Sequence, residues 1–417
     1  MAFATNDSNI IKVGAVPPGT APTPPERRAP TVNEVVRALE QMGLALGYDK
    51  LANEPAKTGP LPWDEVTGTR AWAELDDAEL YALLQGRLGL RSEKALACAT
   101  TIYAHRHAYD PLTAMLDGIE WDGAERAGTL LTRYLGVMPT PYTVAAEQVF
   151  LCGGVERAYR PGCKYDYVLT LVGPGGIGKS TFGRRLALRG KYFCDSVYDL
   201  GNVKATGEVL RGKWVVELAE LTGISGRSLE AVKAGVTRQA DTFRIAYGRR
   251  SADFQRRAVF IATTNTVGFI AEKSSGARRF LPVLCGAVPP TGSVFSREFA
   301  RDAAQAWAEV RTWRETGDPR FSLALAPDME AEATRQREGF LEDDPRVEAV
   351  NEYLCSNRDH PVCTRELADR ALHVEPTAKL YKELSAILTD QCPGWRYDGK
   401  RCCGLYNKQR CWVYRPE

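Results

Sequence analysis

The sequence predicts an α/β core on a largely parallel sheet, preceded by an all-α domain and followed by a small winged-helix-like domain. Three observations carry this. The hydrophobic period changes from helical to strand-like from about Pro141. Short β-rich apolar runs then recur at residues 167–172, 214–218 and 258–264, separated by helical stretches, the pattern of a parallel sheet with crossover helices. From about residue 346 the chain reads helix, helix, helix, then two β-like stretches (395–397 and 411–414) around a Gly/Lys/Arg-rich turn, the order of a winged helix.

Length and composition bound the rest. A chain of 417 residues exceeds one core of usual size, so two or three domains are expected. Apolar content of 44% and charged content of 25% are those of an ordinary globular protein. The net charge is only +2, which excludes a global polycation; any basic surface must be local. No stretch approaches the run of about 18 apolar residues that spans a membrane, and the polar N-terminus lacks a signal-peptide core. A cytoplasmic location without membrane contact is therefore expected. The 11 cysteines are scattered, odd in number and without a CxxC, so they are read as reduced, mostly buried thiols.

Taken in order, residues 1–30 hold Pro17, Pro18, Pro22, Pro24, Pro25 and Pro30 with few large apolar residues, and read as a disordered tail. Residues 31–138 form the expected N-terminal helical domain. Thr31 is placed to cap a helix bearing Val35, Val36, Leu39 and Met42, with Glu34 three residues on. Two further helices are expected at 76–90 and 92–107, and a loop near 55–63. Residues 139–315 form the α/β core, 316–345 a helical or loop connector, and 346–417 the C-terminal domain.

The run 167–172 leads into Gly173, Pro174, Gly175, Gly176, Ile177, Gly178, Lys179, Ser180 and Thr181, matching G-x-x-x-x-G-K-[ST] between a strand and a helix. The glycines let backbone N–H groups converge on a phosphate, and the helix N-terminus adds partial positive charge. Lys179 is the cation for the β- and γ-phosphates of ATP, Ser180 the Mg²⁺ ligand, and Thr181 an aid at the α-phosphate. This makes the core a P-loop NTPase. Hydrolysis needs a carboxylate near the metal. Glu220, at the end of the strand around residues 214–218, is the first choice for metal and catalysis, and Glu217 the second. Asn265 ends the strand 258–264 and suits a water-orienting role. Arg278 and Arg279 follow as candidates for an arginine finger on a neighbouring subunit.

This order of motifs resembles the virulence-associated protein E family, P-loop proteins of phages and mobile islands related to superfamily 3 helicases. The resemblance rests on Trp121-Asp122-Gly123 with Arg126, Tyr134-Leu135-Gly136, and Pro161-Gly162-Cys163-Lys164. It continues through the glycine loop, Glu217 and Glu220, Thr264-Asn265 and Arg278-Arg279-Phe280. The stretch from Lys233 through Arg244 to Tyr247-Gly248-Arg249 resembles a further superfamily 3 motif. Residues of about 100 to 315 are covered well. The resemblance implies an AAA+-like core, a homo-oligomeric ring, a hexamer, with ATP between subunits and single-stranded DNA in the channel. It makes Lys233, Arg244, Arg249 and Arg250 candidates for the DNA-facing or inter-subunit surface. It supports Glu220 as the strand-end carboxylate; Glu217 inside the strand is typical of this family but not of the wider superfamily. There is no primase-like acidic motif, and a primase or initiator would act as a separate partner.

Arg244, Arg249, Arg250, Arg256 and Arg257, interleaved with Tyr247 and Phe254, form a second reason to expect a phosphate-tracking surface. Arg396, Lys400, Arg401, Lys408, Arg410 and Arg415 suit a basic wing on a duplex backbone. Cys392, Cys402, Cys403 and Cys411 lack the tight pairs of zinc sites, the histidines form no metal spacing, and Cys163 is read as packing. The leading function is an ATP-driven DNA helicase or translocase in replication of a phage or mobile element. The alternatives are a DNA-binding ATPase switch (initiator or loader), a small-molecule kinase, and an interaction protein with a spent site.

Overall fold

The structure, a computed structural model, describes residues 28–197, 200–219, 226–244, 251–265, 277–340 and 345–415. Most of the expected N-terminal tail, up to residue 27, lies outside these. The chain divides into two compact units between Pro111 and Leu112.

The first unit opens with α1 (Val32–Met42). The Thr31 side chain accepts from the Glu34 amide while Glu34 accepts from Thr31 N at 2.8 Å, a reciprocal cap that satisfies two orphan donors. The expected all-α domain is corrected here. Strands β1 (Leu46–Asp49), β2 (Glu54–Lys57), β3 (Arg70–Ala71) and β4 (Ala108–Tyr109) form a sheet in the order β3-β2-β1-β4. These strands are too short to alternate visibly, and Pro55 inside β2 argues against a strand in sequence. The expected helices are present as α2 (Glu74–Leu88) and α3 (Glu93–Arg106), the latter capped by Ser92. Val35, Val36, Leu39, Leu80, Leu84, Leu96 and Ala99 form the core between them.

The second unit begins with α4 (Pro111–Asp117), α5 (Leu130–Leu135) and α6 (Pro141–Tyr159). α6 is apolar nearly all round and buried nearly all round, as such a helix must be. Its Gly153-Gly154 pair is required by packing: a Cβ on Gly154 would lie 2.6 Å from the Trp307 ring, and one on Gly153 2.4 Å from the Tyr165 ring. Trp214 and Trp307 pack with centroids 4.3 Å apart, and Trp214 Nε1 donates to the Gly154 carbonyl at 3.0 Å.

The sheet is laid against this helix. It comprises β5 (Val168–Val172), β6 (Phe193–Cys194), β7 (Val215–Ala219), β10 (Val259–Thr264) and β11 (Phe280–Leu284). α7 (Lys179–Leu186) follows β5, and α8 (Val203–Leu210) follows β6. α9 (Gly226–Thr237) and an antiparallel pair, β8 (Ala240–Phe243) and β9 (Ala252–Gln255), intervene before β10. The order is β11-β5-β10-β7-β6, and each neighbouring pair is parallel, so all carboxyl ends point one way. Ligands of open parallel sheets bind at that edge.

Three family motifs serve this packing. The Arg126 guanidinium bridges Asp122 and Asp302, Tyr134 donates to Asp302 at 2.7 Å, and Glu309 accepts from the Arg126 and Ala127 amides. Asp302 and Glu309 lie on α10 (Arg297–Thr316), so the segment before α6 is tied to that helix. Cys163 is buried, and burial pushes its thiol up. After α10, α11 (Pro327–Glu338) seats Arg337 on the carbonyls of Arg278 and Phe280, beside β11.

The C-terminal part runs α12 (Pro345–Cys355), β12 (Val362–Cys363), α13 (Thr364–Glu366), α14 (Ala378–Asp390), β13 (Trp395–Cys403) and β14 (Tyr406–Tyr414), with sheet order β12-β14-β13. Val350, Leu354, Leu367, Leu384, Leu388 and Trp412 pack inside it. Among the described residues no helix is long and apolar enough to cross a membrane.

Candidate nucleotide-binding site

The chain leaves β5 through Gly173, whose φ of 155° lies at the edge of the glycine-favouring region and whose Cβ would meet the Cys285 carbonyl oxygen at 2.6 Å. It enters α7 through Gly178, with φ of 96°; a Cβ there would meet Val294 at 2.6 Å. Only glycine fits both points. The loop thus turns back on itself at the carboxyl edge and aims the first-turn N–H groups of α7 outward, where helix geometry leaves them without intrahelical partners.

Lys179 is buried. Its ammonium donates to the carbonyls of Gly173 (2.7 Å) and Pro174 (2.8 Å) and to Asn265 Oδ1 (3.0 Å). Burial holds its pKa below the ordinary lysine value, opposed by the nearby Cys285 and Glu217. The ammonium is therefore caged by neutral oxygens at the mouth of a helix N-terminus, a place that favours an anion. Ser180 Oγ donates to Glu217 Oε1 at 2.6 Å, and Thr263 Oγ1 donates to the same oxygen at 2.7 Å. Glu217 is buried.

Beside them lies a cleft of about 540 Å³ lined by Gly175, Gly176, Gly178, Lys179, Ser180, Thr181, Ala219, Thr263, Thr264, Asn265 and Phe295. The structure thus brings together Lys179, Ser180 and Thr181 from α7, Glu217 from β7, and Asn265 just after β10. Pro174 is exposed and Ile177 half-buried on the loop. Glu220, Arg249 and Arg250 lie outside the described residues. Two lining residues have no sequence motif. Thr263 is one polar residue among several at a strand end. Phe295 stands in a turn between Ser293 and Ser296, and its only signal was an aromatic in a polar turn before a helix. It is 70% exposed at the cleft, while Arg185 fastens the turn by donating to the Val294 and Ser296 carbonyls.

Other candidates lie elsewhere. Arg278 is exposed and Arg279 half-buried in a single helical turn before β11. β11 begins opposite Val168 and ends opposite Val172, where the glycine loop starts. Five residues at about 3.3 Å each put the arginines roughly 16 Å from that loop, at the opposite edge of the sheet. Arg244 is exposed and Lys233 half-buried. Two arginines expected on a phosphate-tracking surface are not there. Arg256 is buried and pairs with the buried Asp241 at 2.6 Å, and Arg257 is buried with its guanidinium on the Ala158 carbonyl. Both neighbour β10, and the apolar strand beside them carries them inward. Phe254 stacks on Phe243 with centroids 4.4 Å apart.

The basic side chains of the C-terminal hairpin are exposed, and Lys400 pairs directly across from Arg410. Arg401 and Arg415 both reach Asp398.

A family model for the virulence-associated protein E-like domain matches residues 116–342. No curated protein matches. Among solved structures, the chain is similar to the apo NrS-1 C-terminal region (305–718), with 12% identity over 91% of this chain and 98% of that one and a TM-score of 0.47. The A form of the apo NrS-1 C-terminal region gives 12% identity over 92% and 100%, with a TM-score of 0.48. The family match spans more than half of the chain and contains the glycine loop, Glu217, Glu220, Asn265 and the arginine pair; the chain belongs to the virulence-associated protein E-like family.

Proposed function

We propose that the protein is an ATP-hydrolysing DNA helicase or translocase that serves replication of a phage or mobile genetic element. The observation that carries the reading is the joining of Lys179, Ser180, Glu217 and Asn265 around one glycine loop at the carboxyl edge of a parallel sheet. The core is then a P-loop NTPase of AAA+-like, superfamily 3 type.

The residues fit Mg-ATP. The caged Lys179 exchanges neutral carbonyl partners for phosphate oxygens, a gain in charge-assisted bonding. Mg²⁺, when bound, offsets phosphate charge, with Ser180 as its hydroxyl ligand and Glu217 behind it as the metal-side carboxylate. This differs from the sequence preference for Glu220, and the reason is the Ser180–Glu217 bond. Asn265 reaches the same ammonium and is positioned to orient a water at the γ-phosphate. Phe295 offers a flat apolar face at the cleft for the nucleobase.

Arg278 and Arg279 cannot reach their own loop across the sheet, so any role at phosphate belongs to a neighbouring subunit's site. That favours a homo-oligomer, a hexameric ring by family resemblance, with single-stranded DNA in its channel near Lys233, Arg244, Arg249 and Arg250. The C-terminal helices and hairpin have the order of a winged helix. Lys400 opposite Arg410 is a like-charge pair that costs stability on its own and is relieved by a polyanion, which favours a duplex contact there. A DNA-binding ATPase switch shares all these features except unwinding. Strand displacement on a forked duplex separates the two: ATP-dependent release of the displaced strand supports the motor, and ATP hydrolysis on DNA without displacement supports the switch.

A further inference from the structure

Away from the nucleotide cleft, the C-terminal part gathers two thiols and a carboxylate into one buried point. Cys363 ends β12, Glu366 follows in α13, and Cys403 ends β13. Their ligand atoms, two Sγ and a carboxylate oxygen, all lie within 4.8 Å of one another, and all three residues are buried. Cys403 Sγ is 3.5 Å from Glu366 Oε2. His360 Nε2 lies 3.4 Å from Glu366 Oε1, from a side chain that is 46% exposed.

These separations have a chemical reading. A tetrahedral ion with bonds of about 2.3 Å to sulfur and about 2.0 Å to nitrogen or oxygen holds its ligand atoms roughly 3.3–3.8 Å apart. The Cys403 Sγ to Glu366 Oε2 distance falls in that interval, while His360 sits against the other oxygen, Oε1, and joins the three only by turning its ring. The sequence spacing agrees: His360, Cys363 and Glu366 follow one another with two residues between each, the short spacing typical of structural zinc ligands. That pattern mixes three residue types, so a search for cysteine pairs or histidine pairs passes over it. Cys402, next to Cys403, is exposed and points away, and Cys392 packs in the separate apolar core.

The bland alternative is a cluster of three buried thiols, Cys363, Cys403 and Cys411, beside a carboxylate, with Cys403 Sγ also 3.0 Å from the Pro361 carbonyl oxygen. It accounts for the 3.5 Å contact as a weak S–H···O bond. It leaves the buried Glu366 with only the Tyr353 hydroxyl at 2.8 Å, a thiol and the half-exposed His360 as its polar side-chain partners among the described residues. A buried carboxylate without a firm counter-charge is costly, and a divalent ion removes that cost. A small domain with one modest core is also the setting in which structural metals occur.

We infer that His360, Cys363, Glu366 and Cys403 form a structural zinc site that ties the C-terminal hairpin to the start of its helical layer. Binding Zn²⁺ forms two Zn–S bonds, one Zn–O bond and one Zn–N bond, with a rotation of the exposed His360, and the two thiol protons leave to solvent.

The test uses the full chain, purified under reducing conditions and assayed for metal content, then stripped and reloaded with Zn²⁺ or Co²⁺. The expected result is one zinc per chain and, with cobalt, a thiolate charge-transfer band in the near ultraviolet. Both should be lost in Cys363→Ser and Cys403→Ser and kept in Cys402→Ser. X-ray absorption on the zinc-loaded wild type should count two sulfur and two lighter neighbours; this reading stands even when a serine variant fails to fold. Absence of bound metal after reloading, a cobalt spectrum without the thiolate band, a sulfur count other than two, metal retained by both serine variants, or a Cys363–Cys403 disulfide in place of metal would each overturn the proposal.

Discussion

At Glu217 a single carboxylate oxygen accepts two hydroxyls, from Ser180 and Thr263. Glu217→Gln keeps an acceptor there but removes the charge that faces the metal side. Losing one well-placed electrostatic partner in a dry site costs about 10²–10³ in kcat, so this variant should bind ATP with little change and hydrolyse it at least about 100-fold more slowly. Equal kcat in Glu217→Gln and wild type, with the loss appearing in Glu220→Gln alone, would return the metal-side role to the strand-end carboxylate. Phe295 makes a different kind of contribution. Aromatic–base stacking is worth about 1–3 kcal/mol per base, and it acts equally in ground and transition states. Phe295→Ala should therefore raise the KM for ATP by about tenfold with kcat nearly unchanged; an unaltered KM places the base elsewhere. The residues around the glycine loop were legible because its motif constrains type and spacing together. Phe295 and Thr263 were not, because nothing in their local pattern separates a cleft-lining side chain from an ordinary turn or strand-end residue.

The unit β5–loop–α7 was legible for the same reason that it forms: an apolar strand, Gly173 and Gly178 where any side chain would clash, and a helix start. The strand β10 and the parallel order followed from alternation of strand and helix. The N-terminal sheet was missed because its strands have two to four residues and one holds a proline, so tertiary pairing, not local propensity, makes them. The arginine-rich segment misled for a related reason. Charge alone suggests a surface, but Arg256, the residue just after β9, pairs with Asp241 on β8, and both are nearly fully buried. Removing one partner of such a pair leaves an uncompensated charge and costs about 3–5 kcal/mol. Asp241→Ala should therefore lower the thermal midpoint by several degrees while leaving the salt dependence of DNA binding unchanged. A variant that folds as well as wild type but loses DNA affinity would put Arg256 back on the nucleic-acid face. The pair β13–β14 with its helices was legible as an order of elements, whereas the closeness of Cys363 to Cys403 depends on a register that no sequence pattern prints.

At the scale of the whole molecule, the proposed reading makes each glycine loop depend on Arg278 and Arg279 of a neighbouring chain, because the pair lies far from its own loop. An Arg278→Ala/Arg279→Ala double variant and Lys179→Ala should each be nearly inactive alone. Mixed, they should regain ATPase activity, because some interfaces then pair an intact Lys179 with an intact arginine pair from the neighbour. No regain on mixing, or full activity in the double arginine variant, would contradict a shared site. The central claim is that the chain couples a P-loop ATPase to DNA. Steady-state ATP hydrolysis by wild type and Lys179→Ala, with and without single-stranded DNA, tests it most directly. The predicted result is hydrolysis by wild type that single-stranded DNA stimulates several-fold, and near absence of hydrolysis in Lys179→Ala under both conditions. Hydrolysis indifferent to DNA, or undiminished in Lys179→Ala, would contradict it.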